Sequence, residues 1–226
     1  MDRQTQPPLR EQALEWVVLV TLYLLQVFTA EMLRAAINHG HEGPGLNRMV
    51  SQILMLLADH LHPAAMQIFG LWLGVMALFL IGRRRLPRWA FDGPGLWFTI
   101  RLMLEFFTIN ALIFRPSIVT PQVLLAQIVI YLPYFIIAWG WIFQRLDWVP
   151  GRPGSVLLLS DVHPDQPISR FDYFHSAINM LLNKGKQTIS GVNRTGRLAV
   201  LTYMGMLLAL YAVALARILQ LSRSVI

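Results

Sequence analysis

The apolar residues of this chain gather in long continuous runs rather than at the spacing of a soluble helix or strand. A helix needs about 20 apolar residues to cross a bilayer. Five runs reach or approach that length: residues 13–33, 64–82, 96–114, 123–143 and 198–219, with residues 49–61 able to extend the second. None has the length of an ordinary strand, and the alternation of a membrane barrel is not visible. The pattern predicts an all-α integral membrane protein. The first run is longer than the core of a cleavable signal, and Glu31 and Arg34 follow it with no small-residue cleavage pattern. It is read as a retained first helix.

Polar segments separate the runs. Residues 36–48 form a Gly/Pro turn, residues 83–94 (RRRLPRWAFDGP) a basic loop, and residues 115–121 a tight connection with Pro116 and Pro121. Residues 147–170, with four prolines, read as an ordered loop too short for a second domain. Trp16, Trp89, Trp97, Trp139, Trp141 and Trp148 lie near run ends, as an interfacial belt requires, although core packing would serve some of them equally.

Composition supports this class. Of 226 residues, 55% are hydrophobic and 14% charged, against about 25% charged in soluble domains. The absence of cysteine excludes disulfides and thiolate metal sites. On a membrane protein the net charge of +7 points to loops facing anionic lipid rather than to nucleic acid.

One segment has a different grammar. Residues 171–183 (FDYFHSAINMLLN) are moderately apolar but too short to span. A polar stretch, KGKQTISGVNRTGR, and then the fifth run follow. A short helix, a polar turn and a spanning helix predict a re-entrant loop, which is tolerated at membrane depth only when shielded by protein or lining water. Residues 171–220 resemble the pore module of tetrameric potassium channels. Phe171, Asp172 and Phe174 fall at the start of the pore helix. Asn183, Lys184, Gly185, Lys186, Gln187 and Thr188 fall on the T-V-G-Y-G-D filter signature, and Gly205 falls near the hinge glycine of the inner helix. The resemblance implies five spanning helices plus a re-entrant pore helix. It divides the chain into an N-terminal helical region, 1–121, and a pore module, 122–226, whose outer helix is the fourth run. It also implies a homotetramer, since one pore loop closes a pore only by symmetry. Ions would be the ligands, no cofactor is implied, and the location would be a bacterial cytoplasmic membrane.

The filter itself departs from the family. Of the signature only Gly185 remains, with Lys184 and Lys186 in place of Val and Tyr. Two lysines in each of four subunits would bring eight ammonium groups to the filter, and burying one unpaired costs several kcal/mol. Asp161, Asp165 and Asp172 are too few to neutralise them. The potassium-type carbonyl ladder is therefore expected to be absent. Two functions follow: a channel with an altered, lysine-bearing filter that is not potassium-selective, or a non-conducting scaffold or regulatory subunit that reuses the pore fold.

Charge bears on orientation. With five crossings, the side holding the N-terminus, residues 83–94 and the pore loop carries thirteen Lys and Arg, and the other side five. That excess predicts a cytoplasmic pore loop, whereas potassium channels place the filter outside. Both orientations stay open.

Other residues carry weaker signals. Arg101 and Glu105 lie one turn apart inside the third run, either as a self-neutralising pair or as part of an ion pathway. His39, His41, His60 and His62, with Glu42 and Asp59, are weak candidates for metal ligands or pH sensing. KGKQT lacks the first glycine of a nucleotide P-loop, Asn193-Arg194-Thr195 matches a glycosylation sequon, and Asp161 and His163 have no serine partner for a triad. No enzyme is predicted.

Overall fold

The computed structural model describes residues 8–38, 62–113, 121–147, 154–160, 168–182 and 188–223. The protein is mostly helical. In chain order the elements are α1 (Leu9–Asn38), α2 (His62–Ile81), α3 (Trp89–Ile113), α4 (Pro121–Asp147), β1 (Leu157–Leu159), α5 (Arg170–Leu182), β2 (Ile189–Gly191) and α6 (Arg194–Arg223). Each apolar run overlaps one of the long helices. Among the described residues, four helices are long and apolar enough to cross a membrane, over Leu9–Thr29, Pro63–Ile81, Ile128–Asp147 and Arg194–Ala216. The third run is helical within α3 but is not one of these four.

Two differences from the sequence reading concern the loops. Residues 89–94, expected in the basic loop, are already helical in α3. Asp92 supplies negative charge to the first turn, while Pro94 lies inside the helix, one turn further on, and leaves the Ala90 carbonyl without its i+4 donor. The second difference is a small antiparallel sheet, which pairs Leu157 with Gly191 and Leu159 with Ile189. These three-residue strands are too short to show periodicity.

The chain forms two compact units: residues 1–134 with 213–226, and residues 135–212. In the first unit α1 buries Gln12, Glu15, Leu19, Leu22, Gln26 and Thr29. Their 3-4-3-4-3 spacing is that of one helix seam. Polar groups lie inside, while Leu14, Val17, Leu24 and Phe28 are exposed. On α2, Ile68, Leu71, Val75 and Leu78 are likewise exposed. Water would penalise this arrangement, but lipid tails favour it. Gln12 closes one end of the unit, its amide donating to the Leu86 carbonyl at 3.1 Å and accepting the Leu86 N–H at 2.9 Å. Tyr131 and Tyr134 donate to the Leu102 and Phe98 carbonyls of α3.

Helix α2 ends in a Schellman turn, with the Arg84 N–H on the Phe79 carbonyl at 2.9 Å and the Arg83 N–H on Leu80 at 3.0 Å. The left-handed position, φ 54°, is occupied by Arg83, although Gly82 is its neighbour. An arginine there costs about 1 kcal/mol relative to glycine.

Candidate functional site

The second unit contains the segment that resembles a pore module. Helix α5 starts at a reciprocal cap: the Ser169 N–H donates to Asp172 Oδ2 at 2.6 Å, and the Phe171 N–H donates to Ser169 Oγ at 3.4 Å. Asp172, a pore-helix candidate from sequence, therefore acts as a capping residue. Tyr173, Ser176, Ala177 and Met180 form the buried stripe, while Phe171, Ile178 and Leu182 are exposed. The Phe174 ring packs where a Cβ on Gly140 would stand, so this close approach to α4 requires glycine.

A buried carboxylate at the end of α4 organises the loop. Asp147 Oδ1 accepts the N–H groups of Val156 and Leu157 at 2.7 and 2.9 Å. Its Oδ2 accepts the Gly154 N–H at 2.9 Å and the Tyr173 hydroxyl. Four donors thus compensate an acid at a helix C-terminus, where the dipole disfavours it. Burial first, and then the bond to Asp147, push the Tyr173 phenol well above its ordinary range. Asp147 carries no motif that marks it in sequence. The available signal was an acid at the end of an apolar run.

Of the filter-equivalent residues, Asn183, Lys184, Gly185, Lys186 and Gln187 lie outside the described residues. Thr188 is buried. Its hydroxyl donates to the Ser176 carbonyl at 2.7 Å, and its carbonyl accepts the Ser160 N–H at 2.9 Å. The chain then enters β2 and turns into α6, where Gly196 passes so close to the Val156 carbonyl that a Cβ would overlap it.

Two tyrosines of α6 hold α5. Tyr203 donates to the Ala177 carbonyl at 2.8 Å and Tyr211 to the Leu181 carbonyl at 2.7 Å. Around Tyr203, the Phe135, Trp139 and Phe143 rings lie 5.2–5.5 Å away. Trp139 and Trp141 are therefore core residues, while Trp89 is exposed. Trp148 lies outside the described residues. Gly205 sits in uninterrupted helix, with nothing within 4 Å of where a Cβ would stand.

Arg101 and Glu105 belong to the first unit and form a buried i,i+4 pair at 3.6 Å. Thr29, not anticipated from sequence, donates to the same Glu105 oxygen at 3.0 Å. His39, His41 and His60 lie outside the described residues, as does the His62 side chain at the start of α2. Among the described residues no cluster of three or more His, Cys, Asp or Glu could hold a metal ion.

These elements define a helical protein with at least four membrane-compatible helices and a helix–strand insert, pinned at Asp147, between the last two of them. Comparison with family models, curated proteins and solved structures returned no match.

Proposed function

We propose that the second unit is a re-entrant pore loop of the potassium-channel type, that the third run is a fifth crossing, and that the chain assembles as a tetramer in a bacterial cytoplasmic membrane. The observation that carries this reading is the tyrosine pair. Tyr211 lies 211 − 194 = 17 residues into α6, about 25 Å along a helix able to span. Its hydroxyl meets the last turn of α5. Helix α5 therefore descends beside α6, and Thr188 returns to the level of Ser176. A helix that descends beside a spanning helix, followed by a chain that is back at the level of its middle by Thr188, suits the path of a pore loop. The exposed Phe171, Ile178 and Leu182 suit lipid or a neighbouring subunit.

The resemblance in sequence puts Lys184 and Lys186 at positions of the family filter. A fourfold ring of lysines would repel K⁺ and favour anions. The protein is thus an ion-channel subunit with an altered filter, not selective for potassium. A second reading, a non-conducting scaffold, is favoured by the bonds from Ser160 to Thr188 and from Thr188 to Ser176, which tie the end of the loop to the protein.

Bilayer recordings of the native protein and of Lys184→Val with Lys186→Tyr separate the two. Native currents that exclude K⁺ support the channel. Silence of both forms, with the tetramer intact by native mass spectrometry, supports the scaffold. A monomer in native membranes counts against both.

A further inference from the structure

We propose that the loop joining α2 to α3 is a binding site for the phosphate headgroups of anionic phospholipid. The loop carries Arg83, Arg84, Arg85 and Arg88, all exposed. Asp92 on the next turn offsets one charge, leaving 4 − 1 = +3, and its bridge is to Arg88 at 3.9 Å. Among the described residues Arg83, Arg84 and Arg85 have no acidic partner.

The surroundings repeat the order of layers in a bilayer. Leu78 and Ile81, at the end of α2, are 69% and 79% exposed. Trp89 is 64% exposed and meets Trp72 edge-on at 6.2 Å, as interfacial indoles do. Arg83, Arg84 and Arg85 lie between Ile81 and Trp89 in the chain and are exposed. Acyl chains, interface and headgroups would be met in that sequence, and each arginine near an anionic surface adds appreciable attraction.

A solvated charge run that only orients the chain in the membrane would need net charge and nothing else. This loop has more. The buried Gln12 amide grips both backbone groups of Leu86 and fixes the loop on α1. Arg83 holds a left-handed position that glycine fits better, with a glycine one residue away. An unfavourable residue at a constrained position marks a placed side chain rather than a generic charge. Arginine also suits a phosphate geometrically, because its fork can donate two parallel hydrogen bonds.

The test uses the full chain in nanodiscs of equal phosphatidylglycerol and phosphatidylcholine, with retained lipid read by native mass spectrometry. The native protein should retain phosphatidylglycerol several-fold over phosphatidylcholine. Arg83→Gly should fold at least as well and lower that preference several-fold. Exchanging the two residues, Gly82→Arg with Arg83→Gly, keeps composition and net charge and relieves the left-handed arginine. A preference lowered by the exchange supports a positioned site, and a preference unchanged by it overturns the proposal. Equal retention of the two lipids by the native protein also overturns it. So does displacement of the retained lipid by millimolar inorganic phosphate, which would assign the loop to soluble anions.

Discussion

The Tyr173 hydroxyl donates to the Asp147 carboxylate at 2.5 Å, tying the first turn of α5 to the last residue of α4. The same carboxylate holds three backbone N–H groups of the intervening loop. Asp147→Asn can keep the Oδ1 bonds but turns a donor toward Gly154 and Tyr173. It should lower stability by about 2–4 kcal/mol, as expected when the buried Tyr173 hydroxyl and the part-buried Gly154 N–H lose a charged acceptor. Tyr173→Phe removes one bond and should cost about 1 kcal/mol. Thermal unfolding in detergent checks both, and equal losses would contradict the assigned hub.

The Tyr173 phenol also sets a pH dependence. Its folded pKa is raised above the ordinary value near 10 by burial and then by Asp147. A raised folded pKa gives stability that is complete below the unfolded value and is lost as pH rises past it. The native protein should therefore lose stability above about pH 10, and Tyr173→Phe should lose less over the same interval. Parallel curves for the two proteins would contradict this.

Close backbone approach makes Gly196 intolerant of a side chain. Gly196→Ala would drive a Cβ into the Val156 carbonyl, separating β1 from the start of α6. A loss of about 2 kcal/mol or more is expected. Gly205→Ala, in open space, should stabilise α6 by about 0.5–1 kcal/mol. Unfolding midpoints of the two variants should move in opposite directions.

Arg101 and Glu105 are buried at 3.6 Å with Thr29 on the shared oxygen. Arg101→Leu leaves the carboxylate uncompensated and should cost about 3–5 kcal/mol. The double change Arg101→Leu with Glu105→Leu should recover most of that loss. If the two single losses simply add in the double variant, the pair is not coupled.

The helices were legible in sequence because each apolar run has only one low-energy form in lipid. Residues 13–33 and 198–219 became the interiors of α1 and α6, and residues 171–183 gave α5 within a residue at either end. Their polar partners were not legible. Gln12 meets Leu86, and Thr29 meets Glu105, across more than seventy positions. The β1–β2 pairing likewise joins Leu157 to Gly191 with no local pattern to announce it. Asp147 looked like the polar end of a run, because its donors come from a loop that has no periodicity of its own. The start of α3 was missed because Gly93 and Pro94 imitate a turn. In fact Gly93 lets Trp72 pack closely, with the ring 3.1 Å from where a Cβ would stand.

The re-entrant path of α5 is tested most directly by depth. The chain has no cysteine, so single cysteines at Phe171 and Leu182 can carry spin labels without background. Power-saturation measurements against oxygen and a water-soluble relaxant then give the depth of each label in a bilayer. Leu182 should lie roughly 10–16 Å deeper than Phe171, the upper figure being the full rise of eleven helical residues. Equal, shallow depths at the two sites would place α5 flat on the surface and contradict the pore-loop reading.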